Sequence, residues 1–285
     1  MTTAVAASPP PAAEAAASPA RILVFDSGLG GLTVFAEIRR LWAEADYLYA
    51  ADDAVFPYGG LSEADLVARV MTLMETLVLR HRPQAVVIAC HTASTLVLPP
   101  LRGRWPGIPF VGTVPAIKPA AAASRSKRIS VLGTPGTVAR DYTRNLVRSF
   151  AADCDVALVG APRLAALAEA AMRGEPVRDD DILSEIAPAF VDAGGRRTDA
   201  VVLACTHYPL LLDAFERLAP WPVTYIDPAP AIARRLESVL ADLGLAPQDH
   251  ADGGRATALF TSARRPGRAL REALEHRGFA EIATL

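Results

Sequence analysis

Short apolar runs alternate with amphipathic stretches along the chain from Arg21 onward. Residues at three- and four-residue spacing within 62–81, among them Leu66, Val70 and Leu73, predict a long helix. Apolar runs predict buried strands, and the clearest are ILVF at 22–25, YLYAAD at 47–52, AVVIAC at 85–90, AVVLAC at 200–205 and ATALFTS at 256–262. Near-continuous Val, Ile and Leu in strands that alternate with helices is typical of parallel sheets. We therefore predict an α/β fold with mostly parallel sheets.

The second half of the chain repeats the scheme of the first. RISVLGTPGTV at 128–138 parallels RILVFDSGLGG at 21–31, and AVVLAC at 200–205 matches AVVIAC at 85–90 in five of six positions. The alternative is a generic buried strand, but the matching cysteines and their polar neighbours favour a true repeat. We predict two similar, pseudo-twofold-related α/β domains with a site in the cleft between them, since open α/β sheets bind ligands at the carboxyl ends of their strands.

Composition and charge exclude several classes of function. The 285 residues are 51% hydrophobic and 21% charged, and 29 Lys and Arg against 31 Asp and Glu give a net charge of −2. No basic stripe supports nucleic-acid or membrane binding, and no long apolar run predicts a membrane helix. The Ala/Pro-rich residues 1–20 are interpreted as a disordered tail rather than a secretory signal. Three cysteines are too few for a disulfide scaffold, so we expect free thiols in the cytoplasm.

Two of the cysteines stand where a strand should pass into a helix. They occur in Cys90-His91-Thr92 and Cys205-Thr206-His207. A helix N-terminus or a cationic neighbour favours the thiolate, which is the reactive form. Inversion of a carbon centre needs a base on one face and an acid on the other, and thiol and thiolate suit both roles. The turn DSGLGG at 26–31 adds backbone N–H groups that suit a carboxylate.

The chain resembles a known family. VFDSGLGGLTV, the PYG of FPYGG, ACHTAS, VGTVPAIKPA, LGTPGT and LACTHYPLL are similar, in order and spacing, to the glutamate racemases of the aspartate/glutamate racemase superfamily. The resemblance covers Arg21 to about residue 280. It implies a cytoplasmic enzyme that uses no metal or other cofactor and makes D-glutamate for peptidoglycan by a two-base mechanism. It also implies one domain of residues 21–114 plus 227–285, a second domain of residues 115–226, and a homodimer as one form of assembly.

The resemblance assigns roles to particular residues. Cys90 would remove the α-proton of D-glutamate with help from Asp26, and Cys205 that of L-glutamate with help from His207 and Glu169. The implied substrate contacts are Asp26, Ser27, Tyr58, Gly59, His91, Thr92, Thr206 and His207.

His91 departs from the family pattern. Family members commonly have asparagine there, in the sequence CNTAS. Unlike an amide, an imidazole can ionise. We therefore expect a cationic His91 that favours the Cys90 thiolate, so that His91→Asn would move the acid limb of the pH–rate curve.

The sequence alone leaves other functions open. A sister racemase for aspartate or another small acidic amino acid is the nearest alternative. A zinc site built from Cys90, His91, Cys205 and His207 lacks the usual close cysteine pair, and a cysteine hydrolase leaves one thiol without a role. A catalytically idle binding protein would need neither thiol. The remaining candidates are interpreted as structural or surface residues: Cys154, Asp52, Asp53, His81, His250 and His276.

Overall fold

The computed structural model describes residues 19–246 and 254–285. Residues 1–18 of the expected tail and His250 lie outside the described part. The strands are β1 (Arg21–Asp26), β2 (Asp46–Ala51), β3 (Ala85–Ile88), β4 (Phe110–Gly112), β5 (Arg128–Gly133), β6 (Asp155–Gly160), β7 (Asp192–Ala193), β8 (Arg196–Arg197), β9 (Ala200–Ala204), β10 (Thr224–Ile226), β11 (Ala256–Phe260) and β12 (Glu281–Thr284). The helices are α1 (Leu32–Leu41), α2 (Glu63–His81), α3 (His91–Arg104), α4 (Ile117–Ala123), α5 (Pro135–Ala139), α6 (Asp141–Phe150), α7 (Leu164–Met172), α8 (Asp179–Ile186), α9 (Leu212–Leu218), α10 (Ala229–Asp242) and α11 (Arg268–His276).

Two parallel sheets organise the chain. The six-stranded sheet has the order β12-β11-β2-β1-β3-β4, and the four-stranded sheet has the order β10-β9-β5-β6. Every pairing within these two sheets is parallel. β2-β1-β3-β4 in one sheet corresponds to β6-β5-β9-β10 in the other, so the repeat seen in the sequence is also a repeat of topology. The predicted α/β fold with mostly parallel sheets is confirmed.

Helices cover both faces of each sheet, which explains the continuous apolar strands. All four residues of β3 and all five of β9 are buried, as expected for parallel strands covered on both sides. α1, α10 and α11 pack on one face of the six-stranded sheet, and α2 and α3 pack on the other. The chain therefore returns to the six-stranded sheet after β10. We call each sheet with its helices the six-stranded half and the four-stranded half; the predicted domain boundaries after residues 114 and 226 stay predictions.

The helix predicted over 62–81 is α2. Ser62 precedes it, and its side chain accepts a hydrogen bond from Asp65 N at 3.1 Å, which satisfies a free N–H of the first turn. Within residues 19–246 and 254–285, no helix is both long enough and apolar enough to span a bilayer.

Candidate active site

A small cavity lies between the two halves, where β1, β3, β5 and β9 end. Its volume is about 20 Å³. Cys90, Tyr58 and Thr92 line it from the six-stranded half, and Cys205 and Thr134 from the four-stranded half. The two cysteines that the repeat relates therefore face one cavity from opposite halves.

Cys90 stands at the junction of β3 and α3, with its backbone extended just before the first helical residue. Its Sγ lies 3.6 Å from Ser27 Oγ, which in turn lies 3.5 Å from Asp26 Oδ1. Burial, together with the nearby Asp26 carboxylate, raises the pKa of the Cys90 thiol to about 12. Cys90 is consequently a protonated thiol at neutral pH in this closed form.

Cys205 has a different set of neighbours. Its Sγ lies 3.8 Å from His207 Nδ1, and His207 Nε2 lies 3.0 Å from Glu169 Oε1. Burial disfavours a charge on His207, but hydrogen bonds to Cys205 and Glu169 outweigh it and raise the pKa of the imidazole well above its ordinary value. Burial likewise works against a charged Glu169, yet the bond to His207 and that from Leu29 N lower its pKa overall. His207 therefore places a cation beside Cys205 Sγ.

Asp26 joins the two halves beneath the cavity. Its Oδ1 accepts a hydrogen bond from Gly28 N at 3.0 Å, and its Oδ2 accepts one from Thr206 Oγ1 at 3.0 Å. Complete burial raises the pKa of Asp26 to about 6, although the neighbouring His207 and these hydrogen bonds oppose the shift. Asp26 therefore fixes the turn after β1 and holds Thr206 against it.

Three threonine hydroxyl groups from the two halves lie close together beside the cavity. Thr92 Oγ1 lies 3.3 Å from Thr134 Oγ1 and 3.5 Å from Thr137 Oγ1. Thr134 and Thr137 belong to LGTPGT, one of the stretches that carry the family resemblance, but neither was among the predicted site residues. The parallel between this stretch and DSGLGG was the signal that both turns border one site.

His91 does not behave as expected. Its ring is buried, with Nε2 3.3 Å from Thr113 Oγ1, and burial lowers the pKa of the imidazole to about 3. The expectation of a cationic His91 that favours the Cys90 thiolate is therefore wrong, because desolvation outweighs the opposing effect of a hydrogen bond to the Val114 backbone. Nor do the four residues considered for zinc form a ligand set, since the described residues contain no cluster of three or more His, Cys, Asp or Glu suited to a metal.

Tyr58 and Gly59 line the cavity, but the phenol of Tyr58 is already engaged. Its hydroxyl donates to Asp52 Oδ2 at 2.7 Å, and Asp52 also accepts from Arg69 Nη2 at 2.7 Å and from Thr261 Oγ1 at 2.6 Å. Asp52 thus holds the segment that carries Tyr58, in keeping with the structural role inferred for it. Cys154 and His276 lie away from the cavity, and His81 sits near the opposite, amino-terminal edge of the six-stranded sheet.

Each half of this α/β protein contributes one thiol to the cavity. The arrangement is that of a class of proteins that can remove a proton from one face of a small substrate and add one to the other. Comparisons with known proteins agree with this class. The sequence profile of the family described as Asp/Glu/Hydantoin racemase matches residues 29–236. This chain belongs to that family and is an amino-acid racemase.

The similar proteins are named glutamate racemase. The chain is 55% identical to glutamate racemase of Agrobacterium fabrum over 243 residues, covering 85% of this chain and 87% of that one. It is 58% identical to glutamate racemase of Sinorhizobium fredii over 219 residues, covering 77% and 82%. Among solved structures, Escherichia coli glutamate racemase in complex with L-glutamate and the activator UDP-MurNAc-Ala superposes with a TM-score of 0.85 at 37% identity, covering 94% of this chain and 98% of that one.

Proposed function

We propose that this protein interconverts L- and D-glutamate without a cofactor, with Cys90 and Cys205 as the two acid–base groups. The observation that carries the proposal is the pair of thiols that equivalent strands deliver to one cavity from opposite halves. The glutamate racemases to which the chain is similar support glutamate as the substrate. The product would supply D-glutamate for peptidoglycan synthesis in the cytoplasm.

In the L-to-D direction, the Cys205 thiolate takes the α-proton from one face of L-glutamate, and the Cys90 thiol gives its proton to the other face. The reaction leaves Cys205 as a thiol and Cys90 as a thiolate, and the D-to-L direction uses the same groups in reverse. The neighbours of the two thiols support this order, because burial keeps the proton on Cys90 and the His207 cation lies beside Cys205.

The rest of the proposed site binds the substrate and assists the cysteines. The backbone N–H groups at the start of α3 suit a carboxylate, since a helix N-terminus attracts anions. Those of Gly28 and Leu29 in the turn after β1 already donate to Asp26 and Glu169. Asp26 acts on the Cys90 side, while His207 and Glu169 act on the Cys205 side. We assign the substrate contacts to Asp26, Ser27, Tyr58, Gly59, His91, Thr92, Thr206 and His207.

Deuterium exchange tests the reaction and its mechanism together. Purified protein is incubated with L-glutamate in D₂O without added cofactor, and initial rates are followed by chiral chromatography with mass detection. We expect D-glutamate that carries one α-deuterium while the remaining L-glutamate carries almost none, because each face has its own base. Exchange with aspartate but not with glutamate would move the protein to the sister racemases.

Substitution of each cysteine tests its assignment. We expect Cys90→Ser and Cys205→Ser each to lower kcat by roughly 10²–10⁴-fold, the usual contribution of a positioned acid or base. Cys154→Ser is the matched control, since this third thiol lies outside the cavity and should leave the rate unchanged. Normal racemisation by either of the first two variants would falsify the two-base assignment.

A further inference from the structure

We infer that Arg173 is a positioning residue for the Cys205 side of the reaction, which holds the Glu169 carboxylate against His207 and ties it to Asp53 of the other half. The inference rests on the proposed function and adds to it a residue that neither the motifs nor the resemblance identified. Arg173 immediately follows α7 in the four-stranded half.

The geometry shows one guanidinium shared by two buried carboxylates. Arg173 Nη2 lies 3.2 Å from Glu169 Oε2 and 3.9 Å from Asp53 Oδ2. The three side chains are only 15%, 8% and 6% exposed. Asp53 is itself fixed by Ser262, whose N–H donates to Oδ1 at 2.9 Å and whose hydroxyl donates to Oδ2 at 2.6 Å. Arg173 therefore bridges anions from both halves at the edge of the site.

From Arg173 a chain of alternating charges leads to the thiol. Arg173 stabilises the Glu169 anion, Glu169 stabilises the His207 imidazolium through the 3.0 Å contact, and His207 stabilises a thiolate at Cys205. Without the guanidinium, Glu169 and Asp53 would be two buried negative charges with no common cation. The two carboxylates would then repel each other, and Glu169 would move away from His207 and remove the hydrogen bond that raises the pKa of the imidazole.

The other groups around Glu169 do not replace Arg173. Leu29 N donates to Glu169 Oε1 at 2.5 Å, but it carries no charge. Asp26 is an acidic neighbour that favours the His207 cation but opposes the Glu169 anion, and Tyr49 is neutral because burial raises the pKa of its phenol. Among the described residues, His207 and Arg173 are the cations that lower the pKa of Glu169.

A simpler explanation is that Glu169 and Arg173 form an ordinary helix pair four residues apart. Exposed pairs of this kind contribute little to stability and have no effect on a distant histidine. The two explanations therefore differ in the titration of His207, not only in stability.

The test compares Arg173→Met, which removes the charge, with Arg173→Lys, which keeps it. In Arg173→Met we expect the NMR-monitored pKa of His207 to fall, the acid limb of kcat/KM to move to higher pH, and kcat/KM to drop about tenfold. Arg173→Lys should recover most of each change. Arg178→Met is the control, because Arg178 is exposed in the same half and pairs with Asp181.

The outcomes separate this inference from the proposed function. A lower melting temperature in Arg173→Met with an unchanged His207 titration and an unchanged pH profile would leave Arg173 as a helix-pair residue and overturn the inference. If the wild-type protein fails to racemise glutamate, the proposed function fails, while the His207 titration still decides whether Arg173 acts through Glu169.

Discussion

The two thiols of the site differ in the charge of their neighbours. Cys90 has Ser27 and Asp26 beside it, and burial keeps its proton on the sulfur. Cys205 has His207, which the Glu169 carboxylate supports as a cation. Because L- and D-glutamate have equal free energies, this difference cannot alter the ratio of kcat/KM in the two directions. It sets instead which thiol holds the proton before substrate binds.

We expect that the titration of His91 does not affect the pH–rate profile. Its pKa of about 3 leaves the imidazole neutral over the working range. His91→Asn should therefore leave the acid limb of kcat/KM in place, whatever it does to the absolute rate. The measurement is a pH series on both proteins with glutamate as substrate. An acid limb displaced by half a pH unit or more would show that His91 titrates after all.

The same substitution should show a pH dependence in stability. A histidine with a pKa near 6.5 when unfolded and about 3 when folded binds its proton more tightly in the unfolded chain. Its contribution is therefore complete above pH 6.5 and is lost as the pH falls toward 3. Between pH 7.5 and 5.5, the free energy of unfolding of the wild type should fall relative to His91→Asn by about 1 kcal/mol. Urea titrations at both values measure this, and an equal change in the two proteins would contradict it.

The turn between β1 and α1 is the element that brings the halves together. A Cβ on Gly30 would overlap the His207 ring and Thr206 Oγ1, both from the four-stranded half. Gly30→Ala should therefore push His207 out of place and lower kcat/KM by roughly 10²-fold, the effect of about 1 Å of misplacement. Gly107→Ala is the control, because a Cβ there meets nothing within 4 Å. Steady-state kinetics measure the effect. A kcat/KM of Gly30→Ala equal to that of the wild type would show that the turn accommodates the extra methyl group without displacing His207.

How far the sequence predicts the elements depends on burial. β1, β3, β5 and β9 are buried, mainly apolar strands inside their sheets, and the sequence predicted all four. β6 (DVALVG) is an edge strand with a single buried residue, and no pattern in the sequence identified it. The sequence repeat likewise predicted that Cys90 and Cys205 share one site. Arg173 and Thr137 could not be predicted in this way, because each contacts a residue of the other half that is distant in the sequence.

At the scale of the whole molecule, the cavity is too small for the proposed substrate. A volume of about 20 Å³ holds about one water molecule. Next to it lies a groove of about 680 Å³ that shares Tyr58, Gly59 and Thr92 with the cavity. We therefore expect the two halves to move apart when glutamate enters, through the groove.

Arg140 is positioned to oppose that movement. It extends from the four-stranded half, and its Nη1 donates to Thr92 O at 2.6 Å and to Thr95 Oγ1 at 2.5 Å in the other half. Arg140→Met should shift the substrate-free protein toward an open form, since these bonds exist only when the halves are together. We expect a larger radius of gyration in X-ray scattering and faster amide exchange at the start of α3.

Saturating glutamate should reverse both changes, because the substrate would hold the halves together through contacts of its own. Arg144→Met provides the matched control. Arg144 lines the same groove, but its side chain is 54% exposed and pairs with Asp141 within its own helix. Scattering and exchange that are identical in Arg140→Met and the wild type would mean that closure does not depend on this arginine, and that other contacts between the halves, such as that of Asp26 with Thr206, keep the cleft closed.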